Sequence, residues 1–147
     1  MITLPRARAL LAQAVTTQPP GFRYMTPNPG EHSCFYRALD AEFIVHLRTV
    51  RDFAGGLTYR RLFSTLEYDD PRRCTGCLIG VALSLAGEHR HLDFDSSVRD
   101  LAIKFPDMMT GRAANYLAVA QSAQDQGWTW QEAYKKAEYT EELKFND

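Results

Sequence analysis

The stretch "TWQE", residues 129–132, follows directly on an alanine-rich run, "TGRAANYLAVAQSAQDQG", that ends at Gly127. Thr129-x-x-Glu132 is the capping-box pattern, in which the hydroxyl and the carboxylate each accept a hydrogen bond from a free backbone N–H at a helix start. A glycine just past a periodic apolar run closes the preceding helix, because it alone enters the left-handed conformation at little cost. The pattern therefore predicts two helices joined by a connection of a few residues. Such a pair must lie antiparallel and share a core, which fixes much of what the chain can become.

The rest of the second half has the same character. "CLIGVALSLAG" places Leu78, Val81, Ala82 and Leu85 on one helical face, with Gly87 beyond its end. "DSSVRDLAIKFP" starts at Ser96 or Ser97 as N-cap and stops before Pro106. Residues 4–17 form a further helix, with Pro5 in the first turn and Ala7, Leu10, Leu11, Ala14 and Val15 recurring on one face, until Pro19, Pro20 and Gly21 reverse the chain. Between these lie "GFRYMT" and "SCFYRAL", aromatic runs separated by "PNPGEH", which read as two strands of a small antiparallel sheet. "EFIVHLRTV" leans the same way, and "LTYRRLFSTLEY" fits neither period. The expected fold class is α+β: an N-terminal helix, a small antiparallel sheet, then a four-helix C-terminal half packed on it.

A chain of 147 residues is the size of one domain, and 1–147 is read as such. With 18 acidic residues against 17 Lys+Arg, the net charge of -1 provides no general attraction to nucleic acid or to an anionic membrane. The apolar stretch in "MITLPRARALLAQAV" is broken by Arg6, Arg8 and Gln13, unlike an export signal, and no apolar run reaches the roughly 20 residues that span a bilayer. The expected setting is cytoplasmic, with no membrane partner. There Cys34, Cys74 and Cys77 stay reduced and form no structural disulfide.

"RALLAQAV", "CFY", "CLIGVALSLAG" and "AQSAQDQGWTWQEA", in that order, resemble a family of small uncharacterised proteins of actinobacteria and their phages, mycobacteriophages especially. The resemblance implies a strand region feeding the helix at residues 77–87 and a late helical hairpin at 124–133. It implies a phage or actinobacterial origin and supplies no catalytic residue. Residues 40–70 are longer than the connection the family leads one to expect.

The stretch "RRCTGCLIGVALSLAGEHRH" offers three chemistries. Cys74 and Cys77 with His89 and His91 contain the ligand types of a zinc site, with Cys34 as a substitute, but His-x-His is not the usual spacing and an apolar helix separates the pairs by roughly 15 Å. Cys77 at a helix start, beside Arg72 and Arg73, has the setting of a low-pKa thiol, with His46, His89 or His91 and Asp93 or Asp95 as partners on paper. The third reading, preferred here, makes Cys77 a small buried hydrophobe at the start of a core helix, with no metal and no cofactor.

Neither GxxxxGK[ST] nor GxGxxG is present. The expectation is a phage-encoded or prophage accessory protein that is non-enzymatic and binds a host protein or defence component. Its surface residues would be Arg60, Arg61, Arg72 and Arg73, with Trp128 and Trp130 as a staple at the last helix or a hot spot. The alternative is a protein that sequesters a small molecule or nucleotide, or a cysteine-dependent enzyme, using the Cys77 helix start.

Overall fold

The computed structural model describes residues 1–24, 76–88 and 97–145. Among them are five helices and no strand: α1 (Leu4–Val15), α2 (Leu78–Leu85), α3 (Val98–Lys104), α4 (Gly111–Asp125) and α5 (Trp130–Phe145). The expected α+β class is thus overturned for a helical architecture. At its N-terminal edge, the residues read as a strand serve a different purpose. Arg23 makes only an isolated antiparallel bridge to Thr129, and Phe22 O accepts the Trp130 N–H at 3.0 Å. The Phe22 ring meets Trp130 edge-on, centroids 4.7 Å apart. Aromatic residues scored as strand formers are here filling space beneath helices, since β propensity largely measures packing on a half-buried surface. The remainder of the expected sheet lies outside the described residues.

The helix boundaries follow local chemistry. Thr129 Oγ1 accepts the Glu132 N–H at 3.1 Å, while Glu132 Oε1 accepts the Thr129 N–H at 3.0 Å, which is the reciprocal capping box. Gly127, at φ 93°, lets the Trp128 N–H reach back to Ala123 O at 3.2 Å and so closes α4. Ser97 and Thr110 cap α3 and α4 through their hydroxyls.

α4 and α5 form the antiparallel hairpin, and α1 lies across it, contacting α2, α4 and α5. A parallel bridge between Ile2 and Met109 ties the start of α1 to the start of α4. Ala7, Ala14, Ala113, Ala120, Ala133 and Ala137 are wholly buried at these contacts, where a side chain of one carbon allows close backbone approach. Trp130 and Tyr116 supply the bulk. On α2 the buried face is Leu78, Ile79, Ala82 and Leu83, whereas Leu85 is exposed and Val81 only partly covered.

Two glutamines one turn apart on α4 hold the other helices in place. Gln121 Oε1 accepts the Val98 N–H at 2.8 Å at the start of α3. Gln124 Oε1 accepts the Leu78 N–H at 2.7 Å at the start of α2, and also the Trp130 indole N–H at 3.1 Å. Free N–H groups at helix starts need acceptors, and here a neighbouring helix provides them.

Candidate functional site: a cationic hollow beside Trp128

α3 stands against α4, and the two leave a hollow of 540 Å³ lined by Ser97, Arg99, Gln121, Ser122 and Asp125. A second hollow of 260 Å³ shares Arg99, Ala118, Ser122 and Gln126 with the first and extends to Trp128 and Lys136. Trp128 is 38% exposed, unusual for a side chain of its size next to a packed hairpin. The Gly127 turn projects it beside Val119 and Lys136. Arg99 lines both hollows, Lys136 the second and Asp125 the first, and Asp125 Oδ1 accepts the Gln124 side-chain N–H at 3.1 Å. The hollow presents positive charge, small hydroxyls and one indole face, a set suited to an anionic or aromatic group.

Of the surface expected from sequence, Trp128 lies here. Trp130 does not: it is 1% exposed, stacked edge-on with Phe22 and bonded to Gln124, so it belongs to the core. Arg60, Arg61, Arg72, Arg73, Cys74, His89 and His91 lie outside the described residues.

Cys77 is the N-cap of α2 and wholly buried, its Sγ accepting the Gly80 N–H at 3.4 Å. It is disulfide-bonded, which corrects the expectation that it remains a free thiol. The compartment argument behind that expectation says nothing of geometry, and a sulfur tied in a disulfide is neither a nucleophile nor a zinc thiolate. Among the described residues no three His, Cys, Asp or Glu side chains cluster as a metal site would require.

Among the described residues, a closely bonded set of charges joins α1, α4 and α5. Arg8 clasps the Glu138 carboxylate with two bonds, Nε at 3.1 Å and Nη2 at 2.6 Å, and the Tyr116 hydroxyl donates to Glu138 Oε1 at 2.8 Å. The Arg8 hydrogen bond, with help from Tyr116 and Tyr134, holds Glu138 below its usual carboxylate range. Burial, then the neighbouring carboxylate, pushes Tyr116 well above an ordinary phenol. All donors converge on one acceptor, so the cluster is a clamp between α1, α4 and α5.

One turn along, Glu141 is 3% exposed and its Oε2 has no hydrogen-bond donor. Lys144 Nζ lies 3.3 Å from Oε1 and Arg112 4.0 Å from Oε2, both cations being half-exposed. A buried carboxylate so incompletely served costs more than it returns. Replacing Glu141→Met is expected to leave stability unchanged or raise it by about 1 kcal/mol in chemical denaturation. A loss above about 2 kcal/mol would show that the ion pairs outweigh desolvation.

No family model, curated protein or solved structure matches the chain. Arg99 and Lys136 were not apparent as site residues in the sequence, since they sit singly on separate helices and meet only when α3 docks on α4. No described helix is long and apolar enough to cross a membrane.

Proposed function

We propose that the chain is a non-enzymatic binding protein of phage or prophage origin that docks an acidic segment of a host protein into the hollow beside Trp128. The observation that carries this reading is the partly exposed Trp128 indole lining one hollow together with Arg99 and Lys136. Tryptophan is favoured as a hot-spot anchor because it buries a large rigid surface while keeping a polar N–H, and flanking cations steer an acidic partner toward it. Among the described residues, Glu138 and Tyr116, both displaced from ordinary behaviour, bond to one another in the clamp. The host cytoplasm is the setting that this reading gives the protein. A disulfide in that compartment is usually of the reversible kind.

The test is capture of a host protein from actinobacterial lysate, followed by titration of the purified partner. Trp128→Ala with Lys136→Glu is expected to weaken binding by at least about thirtyfold, since loss of a hot-spot tryptophan alone costs about 2 kcal/mol or more. Unchanged affinity in the double variant, with loss in Arg60→Ala, Arg61→Ala, would move the docking surface to the arginine-rich middle of the chain.

A further inference from the structure

The chain reversal after α1 leaves a cleft that shares no lining residue with the hollows beside Trp128. It measures 280 Å³ and lies between the end of α1 and the start of α5, walled by Val15, Pro19, Pro20 and Phe22, with Gln18 and Gln131 also lining it.

Its walls are set before anything binds. Pyrrolidine rings fix φ at Pro19 and Pro20, and Gly21, at φ 84°, closes a turn in which the Phe22 N–H reaches Pro19 O at 3.1 Å. Phe22 is held further by α5, its carbonyl accepting the Trp130 N–H at 3.0 Å and its ring lying edge-on to Trp130. A preformed wall spares a ligand the cost of ordering it.

Among the described residues that line the cleft, none has an ionisable side chain. A charge entering it would shed water with no opposite charge to meet, whereas an apolar ring gains by burial. A dry apolar cavity of about 150 Å³ takes benzene, so 280 Å³ has room for two fused rings. Phe22 offers offset or edge-on aromatic contact, which a saturated ring of equal size cannot make. The side-chain amides of Gln18 and Gln131 supply acceptors for one N–H or O–H. We propose that this cleft binds a neutral, flat, fused-ring aromatic molecule with a single hydrogen-bond donor, the chemistry of an indole. The site is separate from the surface proposed for a protein partner, and neither reading depends on the other.

The probe is 5-fluoroindole, titrated into the full chain and followed by fluorine NMR, with the Trp130 indole N–H resonance read in the same samples. Saturable one-to-one binding is expected, with Kd between roughly 10 µM and 1 mM for a ligand of about ten heavy atoms. The Trp130 resonance should move along the same curve. 5-Fluoroindole-3-carboxylate should bind at least about tenfold more weakly, because its charge finds no partner. Val15→Phe fills the cleft and should weaken 5-fluoroindole by at least about tenfold. Gln131→Phe, at an exposed position on the rim, makes the same test if Val15→Phe does not fold. Trp128→Ala should leave binding unchanged. No saturation within that range, equal affinity for the carboxylate, or indifference to both filling variants would overturn the proposal. Loss of binding in Trp128→Ala alone would also overturn it, by moving the ring to the cationic hollow.

Discussion

Gln124→Leu is expected to destabilise the protein by about 3–5 kcal/mol, because two buried donors lose their acceptor together and each orphaned group costs about 1–3 kcal/mol. The donors are the Leu78 N–H at the start of α2 and the Trp130 indole N–H at the start of α5. A leucine of similar volume fills the space without accepting either bond, so the loss isolates hydrogen bonding from packing. For a chain of this size the thermal midpoint should fall by roughly 10 °C or more. Gln121→Leu orphans the Val98 N–H and should cost about 1–3 kcal/mol. If both variants lay within about 0.5 kcal/mol of the parent, the glutamines would not be the helix anchors described here.

Glu138→Ala is expected to cost about 2–4 kcal/mol, since the buried Tyr116 hydroxyl loses its acceptor and Arg8 its bidentate partner. Arg8 is 45% exposed on its side chain, so water takes over part of its share. The pH dependence separates this from a simple loss of packing. The folded-state pKa of Glu138 lies below its ordinary value of 4.5, because Arg8 and Tyr116 favour the carboxylate. Its contribution is therefore fully present above that ordinary value and fades as pH falls through the depressed folded one. The gap between parent and Glu138→Ala should be constant near neutrality and close in acid. At the alkaline end, Tyr116 is raised above its ordinary value of 10.0, so the neutral phenol is stabilised in the fold and that contribution is lost once the unfolded chain ionises. Denaturation curves between pH 3 and pH 11 would show both edges; a gap that stayed constant into strong acid would sink the carboxylate account.

What could be read from sequence was chemistry confined to a few neighbouring residues. Thr129 and Glu132, Ser97, Pro5 and Gly87 declare helix ends because a cap or a left-handed turn needs only its immediate surroundings. The buried stripe of α1 was legible for the same reason. Phe22 and Tyr24 misled, since an aromatic residue packs as readily under a helix as in a sheet, and only the position of Trp130 decides between them. On α2 the apolar residues run nearly all the way round, so periodicity alone could not say that Leu85 would face outward and Leu83 inward. Gln121 and Gln124 stood among alanines as polar residues on an otherwise apolar face. That was a signal of tertiary bonding, but nothing local names the N–H groups they meet. The Trp128 hollow was half legible: the tryptophan was visible, and its cations were not. The state of Cys77 was reasoned from compartment, and the geometry of the fold set that reasoning aside.

The alanines at the crossing of α1, α4 and α5 have a consequence for how this lineage can drift. At Ala7, Ala113, Ala120, Ala133 and Ala137, each with no exposed surface, there is no larger side chain to trim, so the familiar route of core change by shrinkage and compensation is closed. Growth forces two backbones apart at about 1–3 kcal/mol for each position. A change at one helix then needs a matching retreat on another, where the only smaller residue is glycine, at about 1 kcal/mol in a helix interior. Divergence should accordingly collect on the outer face of α5, around Tyr139 and Leu143, where side chains can be exchanged without moving a helix. The interior would keep its small residues long after the surface had ceased to resemble that of its ancestors.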